Sequence, residues 1–438
     1  MEENQKNASF KRKTNMKIYT IHKTLTQDLL FYYAIKFLFL TTVKSFTAKD
    51  VIIASAFWGI IRVIMQIPIS VIIDKVGSKK SLILGDLFQL ASVTIIMLSQ
   101  NMAMLLIANF FGAISYDLRD VAESDLLNKS IPDVPERTQI YSKLNGRGIG
   151  NYYYFSAVSA ILSGFLFEIN PYIPMCICAI VLIIAIRVAS MFYDVDEQKV
   201  KKTTDSKNIM KKYKDYFKDL KLAFSFIFTS RRLKALMLFS GLMYGMIMVM
   251  NTYEMNLLKE IEMSASITGF VYAGLQLIAG FASKHQEKFH EKYKNKTLTI
   301  IGISYAIACL VAGTISVTTI PYIIIATLIV ATYIVRYCST GLYYVLIKKY
   351  VTNFTNEEVA NKVYSAQSLV DGIGNALICA FGAGIVSGLN IKYAVIIFGI
   401  TFLVIMSFVL YYMKNRVGLK PEEYRKKDIN YKEYVRLK

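Results

Sequence analysis

Long runs of apolar residues recur along the whole chain, and short polar stretches separate them. A helix that crosses a bilayer needs roughly 20 mostly apolar residues. Twelve runs meet that length: 25–46, 51–73, 81–99, 101–126, 140–167, 171–193, 234–258, 264–283, 298–317, 320–347, 360–387 and 391–413. Such runs are helical, because only helices and closed barrels satisfy their own backbone in lipid. The pattern therefore predicts an all-α polytopic membrane protein with twelve transmembrane helices, of which the first and fourth contain charges.

The longest internal polar stretch divides the predicted spans into two groups of six. We predict an N-terminal six-helix bundle at 1–193, a cytoplasmic linker at 194–233, a C-terminal six-helix bundle at 234–413 and a cytoplasmic tail at 414–438. Within the linker, apolar residues recur every three or four positions between lysines. This spacing indicates an amphipathic helix over Asn208 to Thr229 at the membrane surface. A plain linker with a few anchoring aromatic residues is the alternative.

The positions of the basic residues predict the orientation of the chain. When charged span ends are counted with the adjoining polar segments, 42 of the 51 Lys and Arg lie in alternate segments beginning with the N-terminus, 4 lie in the other loops and 5 lie farther inside spans. Because cytoplasmic loops are enriched in Lys and Arg, we expect both termini and the linker in the cytoplasm and the protein in the plasma (inner) membrane. The net charge of +20 is thereby explained by topology, so we expect no nucleic-acid partner.

The sequence contains little that suggests catalysis or a cofactor. The five cysteines lie in apolar runs without metal-ligand spacing, and the three histidines lie in polar segments near the predicted membrane ends. No phosphate-binding loop of the Walker type occurs, which argues against direct use of ATP. The first 23 residues are polar and basic, which predicts a cytoplasmic tail and no cleaved signal peptide. We therefore expect no catalytic residue, no metal and no cofactor.

The polar segment between the second and third predicted spans carries a motif. It reads SVIIDKVGSKKSL over residues 70–82 and resembles the loop signature GxLaDrxGrkxxl of the major facilitator superfamily. Ser70 and Ser78 depart from the signature. The matching positions are Asp74, Lys75, Gly77, Lys79 and Leu82. Together with the six-plus-six plan and the basic central loop, the resemblance implies the fold of that superfamily, whose two halves are parallel repeats.

The resemblance also implies a conformational role for this motif. In superfamily members the acid faces the N-terminus of the eleventh helix, where unpaired N–H groups favour negative charge. This contact holds the two halves together. Asp74 takes that place here, and Gly77 lets the chain reverse between two closely packed helices. The alternative is that the lysines only set topology and that Gly77 only makes a turn.

Other segments limit what the resemblance implies about mechanism. The corresponding loop of the second half, residues 283–296, is basic but lacks the acid and the glycine. Position 108 is alanine, whereas many proton-driven drug exporters have an arginine four residues before a glycine such as Gly112. The segments 115–125 and 155–174 resemble uncharacterised permeases of low-GC Gram-positive bacteria, and this resemblance supplies no substrate.

Ionisable residues inside the predicted spans are the candidate functional groups. A charge at the bilayer centre costs about 2.5–3.5 kcal/mol on insertion scales, so it faces a partner or an aqueous cavity. The resemblance implies that helices one, four, seven and ten line the cavity. The candidates for transport and coupling are Lys36, Asp117, Asp120, Glu123, Glu254, Arg336 and, from the eleventh span, Asp371. They form either a polar substrate site with a proton-titratable carboxylate or structural ion pairs; Arg119 and Glu123, four residues apart, can pair with each other.

These observations favour a secondary transporter that moves a small solute by alternating access, with proton-coupled efflux as the first hypothesis. An uptake symporter or facilitator of the same fold is an alternative. A non-transporting membrane sensor or lipid-handling protein is an alternative of another class. An enzyme is not expected, because no predicted span contains histidine. The expected partners are a small-molecule substrate, the lipid bilayer and protons, and we expect a monomer.

Overall fold

The computed structural model describes residues 2–132, 137–193, 206–354 and 357–414, and these residues form helices and short turns with no β-strand among them. The helices are α1 (Glu2–Thr26), α2 (Lys36–Leu38), α3 (Ala48–Val76), α4 (Ser78–Leu98), α5 (Met102–Ser130), α6 (Arg137–Ile169), α7 (Tyr172–Ser190), α8 (Ser206–Thr229), α9 (Arg231–Glu260), α10 (Ala265–Lys284), α11 (Gln286–Tyr293), α12 (Thr297–Ser316), α13 (Tyr322–Phe354), α14 (Glu357–Gly388) and α15 (Ile391–Lys414). The predicted all-α class is confirmed.

Nine helices of the described residues are long and apolar enough to cross a membrane, and they coincide with nine predicted spans, the third and the fifth to the twelfth. The second and fourth predicted spans appear as α3 and α5, each a single helix of 29 residues. At 1.5 Å per residue each is about 44 Å long, more than the roughly 30 Å of a hydrocarbon core. The count of twelve spanning helices stays a prediction, because the first predicted span has a different structure.

The segment predicted as the first span, 25–46, is not one continuous helix, so this prediction is wrong. α1 ends at Thr26, and the chain leaves helical geometry until Tyr33. Within this interruption Phe31 has a φ of 65°, a backbone conformation that residues other than glycine rarely adopt. A 3₁₀ turn, α2 and a π turn then continue the chain to Val43.

Residues 2–23, predicted as part of a polar tail, belong to α1, and this prediction is wrong because one face of the helix is buried. Asn15, Tyr19 and His22 are at most 2% exposed. The Asn15 amide group donates to the carbonyl oxygen of Tyr193 at 2.8 Å and accepts from its backbone N–H at 2.8 Å. The Tyr19 hydroxyl donates to Asn145 Oδ1 at 2.9 Å. A helix of low hydropathy is thus accommodated in the bundle because its buried polar groups have partners.

Gly77 joins α3 directly to α4. Its φ is 87°, in the left-handed region that glycine adopts without steric penalty, and its N–H donates to the Ile73 carbonyl oxygen at 2.9 Å. A glycine of this kind ends α3 and lets α4 begin at the next residue. Lys75 is exposed and Lys79 is half-buried. The side chain of Asp74 lies outside the described residues, so its contact stays a prediction.

The chain divides into two compact units. The N-terminal unit contains Met1–Phe46, Ile61–Lys211 and Ala265–Ala273, and the C-terminal unit contains Thr47–Ile60, Lys212–Ser264 and Gly274–Lys438. In the N-terminal unit, Leu82 of α4 and Leu118 of α5 belong to one apolar core and are fully buried. Lipid tails are as apolar as leucine, so such side chains stabilise the packed helices mainly through van der Waals contacts with each other.

In the C-terminal unit, α9 and α14 cross closely because glycines face each other. A Cβ atom at Gly374 would lie 2.5 Å from the carbonyl oxygen of Gly241, and one at Gly245 would lie 3.0 Å from that of Gly374. Small residues allow membrane helices to approach to this distance. α8 lies where the sequence predicts an amphipathic helix, and its position at the membrane surface stays a prediction.

Candidate functional site

A buried histidine of α1 connects α4 and α5 through two carboxylates. His22 Nε2 lies 2.8 Å from Asp86 Oδ2, and His22 Nδ1 lies 2.7 Å from Glu123 Oε1. The side chains of His22 and Asp86 are 0% exposed and that of Glu123 is 3% exposed. Because each ring nitrogen faces a carboxylate oxygen, the imidazole satisfies both acids as the cation, which donates from both nitrogens.

Glu123 receives further donors from the same helix. Lys23 Nζ donates to Glu123 Oε2 at 2.8 Å, and Thr26 Oγ1 donates to Glu123 Oε1 at 3.0 Å. Charge-assisted hydrogen bonds of this kind are roughly twice as strong as neutral ones. Glu123 therefore fixes the last turn of α1 against α5. This is the structural ion pairing that the sequence analysis gave as the alternative to a role in transport.

Arg119 and Glu123, which the helix spacing allows to pair, do not pair in the structure, because Arg119 has other partners. Its Nη1 donates to the Thr26 carbonyl oxygen at 2.8 Å and its Nη2 to Gln89 Oε1 at 3.3 Å. Thr26 is the last residue of α1, where carbonyl groups have no partner within the helix. The guanidinium therefore caps the C-terminus of α1, and its positive charge also suits that end of the helix dipole.

The interruption after α1 lies near half the length of α4. Gln89 is the twelfth of the 21 residues of α4, a helix about 32 Å long. Arg119 contacts both Gln89 and the last carbonyl of α1, so the first helix stops at about that depth. An interrupted helix at membrane depth is tolerated where protein encloses it or where it lines a water-filled cavity.

Asp117 forms an ion pair with Arg62 of α3. Arg62 Nε donates to Asp117 Oδ1 at 2.8 Å, and the guanidinium lies 4.2 Å from the centre of the Tyr116 ring. The side chains of Arg62 and Asp117 are 24% and 12% exposed. This pair is therefore more accessible than the cluster around Glu123.

Asp120 and Lys36 have no hydrogen bond or ion pair within the part of the chain that the structure describes. Asp120 is exposed and lines a cleft together with Gln27, Tyr116 and Arg119. Asp28, which was not among the predicted site residues, lies in the interruption itself. Its Oδ1 accepts from the Leu29 backbone N–H at 2.7 Å.

In the C-terminal unit, Glu254 of α9 and Arg336 of α13 pair with each other. Arg336 Nη2 donates to Glu254 Oε2 at 2.6 Å, and the Tyr337 hydroxyl donates to Glu254 Oε1 at 2.9 Å. Both charged side chains are 1% exposed. The guanidinium also lies 5.3 Å and 5.0 Å from the ring centres of Tyr305 and Tyr333. This enclosed pair joins α9 to α13.

Asp371 of α14 has a neutral hydrogen-bond donor. Its Oδ1 accepts from Ser240 Oγ at 2.6 Å. The Ser240 hydroxyl in turn contacts the Tyr343 hydroxyl and Gln367 Nε2, each at 3.1 Å. This chain of polar groups connects α9, α13 and α14.

The predicted site residues omit four charged residues that the structure places around the end of α1. They are His22, Lys23, Asp28 and Asp86. A signal was present in the spacing of Asn15, Tyr19, His22 and Thr26, which share one face of a helix and are all buried. In the described segments, no group of three His, Cys, Asp or Glu is arranged to hold a metal ion.

The sequence profile of the Major Facilitator Superfamily matches residues 27–335, which is more than half of the chain. The chain therefore belongs to the Major Facilitator Superfamily. The matched region begins at Gln27, the first residue after α1.

Solved structures of transporters share the fold. The nucleoside transporter NupG superposes with a TM-score of 0.66 at 12% identity, over 92% of this chain and 99% of that one. A POT family transporter in complex with 5-aminolevulinic acid gives 0.65 at 13%, over 93% and 96%. A D-xylose-proton symporter gives 0.66 at 11%, over 94% and 98%. At these identities the likeness shows the fold alone. No curated protein matches the sequence, and the resemblance to permeases of low-GC Gram-positive bacteria stays a prediction.

Proposed function

We propose that this chain is a secondary active transporter that carries a small polar solute by alternating access and couples its movement to protons. The observation that supports it is the interruption of the first helix beside charged groups of both signs. An unbroken helix satisfies its own backbone, so an interruption at membrane depth has a use where it presents polar groups to a solute. Asp120, the residue after Arg119, and Asp28, two residues after the capped Thr26, are both exposed and belong to the same unit.

For coupling we propose Asp117. A proton on the Asp117 carboxylate removes the negative charge that holds Arg62 at 2.8 Å, so the connection between α3 and α5 weakens when the acid is neutral. A protonation that changes helix contacts links the proton to the conformational equilibrium, and linkage is reciprocal between proton and solute. Glu123 has three donors from α1, so we propose that it holds the structure.

Only the family resemblance favours a direction of transport, and on that basis we propose export in exchange for protons. The site of action is the plasma membrane, with both termini in the cytoplasm, and the active form is a monomer. Uptake by symport and facilitated diffusion are the competing modes. Antiport accumulates solute against the direction of proton flow, symport accumulates it along that direction, and facilitated diffusion only equalises the two concentrations.

The test is flux in liposomes that contain the purified protein. A panel of labelled polar solutes is offered with an inward, an outward and no pH gradient. We expect accumulation of at least one solute under one gradient direction only. Asp117→Asn should abolish this accumulation while exchange of internal for external solute continues, whereas the exposed control Glu291→Gln should behave like the wild type. Flux that ignores every gradient contradicts coupling, and absence of flux for every solute favours a sensor or lipid-handling protein.

A further inference from the structure

A row of lysines follows one side of α8 (Ser206–Thr229). In the sequence the lysines recur at intervals of four, three, four and three residues, which places them on one side of a helix with 3.6 residues per turn. The lysine row consists of Lys207, Lys211, Lys214, Lys218 and Lys221. The structure describes the side chains of the last three; all three are exposed, and none forms an ion pair among the described residues. The acids Asp215 and Asp219 fall about 100° and 140° around the helix from Lys214, outside the row.

The opposite side of α8 is buried. Ala223 and Phe226 are 0% exposed, and Ile227 is 3% exposed. With 3.6 residues per turn, these three lie about 120° or more around the helix from Lys214, whereas Lys218 and Lys221 lie within about 40° of it. The lysine row therefore lies on the side of α8 that faces away from the rest of the protein.

Aromatic side chains lie next to the lysine row. Phe217 is 58% exposed and Phe228 is 65% exposed, and both fall within about 60° of Lys214 around the helix. The rings of Phe224 and Phe228 stack with their centres 6.5 Å apart. Exposed aromatic rings beside lysines are typical of a helix that lies in the membrane interface, with the rings at the acyl boundary and the ammonium groups among the headgroups.

The end of α8 is joined closely to a helix that is long and apolar enough to cross a membrane. Ser230 alone separates α8 from α9. The Ser230 N–H donates to the Phe226 carbonyl oxygen at 2.8 Å, and its hydroxyl accepts from the Leu233 N–H at 3.3 Å. The 30 residues of α9 span about 45 Å, more than a hydrocarbon core of roughly 30 Å. The first turn of α9, with Lys234 Nζ 5.7 Å from the centre of the Phe228 ring, is therefore expected at the level of the headgroups.

We infer that the lysine row of α8 binds the phosphate groups of anionic phospholipids, in the leaflet that takes up the rings of Phe217 and Phe228. Lysine clusters on an amphipathic helix, or directly beside a spanning helix, attract anionic headgroups, and α8 has both features. Zwitterionic lipids also contain a phosphate, but their own cation compensates it. A second copy docked by the same surface would bring two lysine rows together, which is unfavourable.

Lipid contact at α8 is measured in nanodiscs with a tryptophan reporter. The chain contains one tryptophan, Trp58, so Trp58→Phe/Phe217→Trp places the only indole on α8. Two preparations contain phosphatidylcholine and phosphatidylglycerol in the same ratio and the same amount of brominated acyl chains, carried by phosphatidylglycerol in one and by phosphatidylcholine in the other. We expect brominated phosphatidylglycerol to quench the indole about two-fold more strongly. This excess should disappear in 1 M salt, where the screening length is about 3 Å.

Variants in the reporter background locate the contact. Replacing the three exposed lysines of the row should make the two brominated lipids quench equally: Lys214→Gln/Lys218→Gln/Lys221→Gln. The matched control removes the same number of exposed lysines from α10 and α11 and should keep the excess: Lys284→Gln/Lys288→Gln/Lys292→Gln. A second reporter, Trp58→Phe/Phe228→Trp, should give the same result as the first.

Three outcomes overturn the inference. Equal quenching by the two lipids before any lysine is replaced shows contact without preference for anionic headgroups. An excess that persists in the α8 lysine variant assigns the preference to other residues. An indole that neither lipid quenches shows that protein, such as a second copy of the chain, covers this side of α8. The measurement uses no solute, so its result does not depend on the proposed function.

Discussion

Replacing His22 by leucine tests how strongly the buried cluster at the end of α1 stabilises the N-terminal unit. The substitution removes both ring nitrogens, so Asp86 Oδ2 loses its contact at 2.8 Å. Asp86 Oδ1 already has no partner among the described residues, and the side chain is 0% exposed. Glu123 keeps Lys23 and Thr26. The loss therefore falls mainly on Asp86, which becomes a buried carboxylate without a partner.

Removing one partner of a buried ion pair destabilises a protein by about 3–5 kcal/mol, because the remaining charge stays buried. We expect His22→Leu to lower the free energy of unfolding by that amount. The double variant His22→Leu/Asp86→Leu removes both charges and should recover most of the loss, because apolar replacement of a whole pair is often neutral. His285→Leu is the matched control, since His285 contacts Phe281 at an exposed position and should cost about 0.5 kcal/mol or less.

Thermal unfolding in detergent measures these differences with a thiol-reactive dye. The dye reports exposure of the buried cysteines Cys178, Cys309 and Cys379. The unfolding midpoint should fall in His22→Leu, recover in the double variant and stay unchanged in His285→Leu. If His22→Leu unfolds at the wild-type temperature, or if the effects of His22→Leu and Asp86→Leu simply add, the two side chains do not form an energetically coupled pair.

Three further predictions use the same protein. Gly77→Ala should destabilise the protein by about 1–2 kcal/mol because φ is positive there. The control Gly146→Ala, inside α6 with open space around its Cβ position, should not destabilise it. Equal unfolding midpoints for the two variants contradict the strain at Gly77. An introduced cysteine at Asn101 should react with an impermeant maleimide on intact cells and one at Ser206 should not; the reverse pattern contradicts the predicted orientation. Arg336→Met should lower the free energy of unfolding by about 3–5 kcal/mol and the unfolding midpoint as strongly as His22→Leu does, and a wild-type midpoint contradicts the assigned ion pair.

Helix positions were predictable from hydropathy because lipid makes apolar length the dominant requirement for a spanning helix. The third predicted span, 81–99, corresponds to α4 (Ser78–Leu98), and the twelfth, 391–413, corresponds to α15 (Ile391–Lys414). The differences at the ends are a few residues. The turn at Gly77 was also predictable, because a glycine between two long apolar runs indicates a turn. The structure shows that turn, with a positive φ at Gly77.

Hydropathy does not identify a helix whose buried face is polar, and α1 is such a helix. Its low hydropathy predicts a solvated tail, but Asn15 and His22 have partners on neighbouring helices that lie far away in sequence. The absence of a pair between Arg119 and Glu123 has the same origin. Spacing within one helix shows which side chains are neighbours, but here Glu123 is bound by α1 and Arg119 is bound by the end of α1 and by α4.

The charged residues of the two units differ in exposure and in ion pairing. This difference affects which charges a solute can reach. Glu254 and Arg336 are each 1% exposed and compensate each other, so a solute would first have to separate a buried pair, which costs several kcal/mol. Asp120 and Asp28 are exposed and form no ion pair among the described residues, so a solute meets them without that cost. Arg119 also caps the last turn of α1. This contact stabilises the interrupted form of the first helix and keeps its polar backbone near these acids. On this reasoning the C-terminal pair joins α9 to α13, and we propose that a solute binds at the interruption of the first helix.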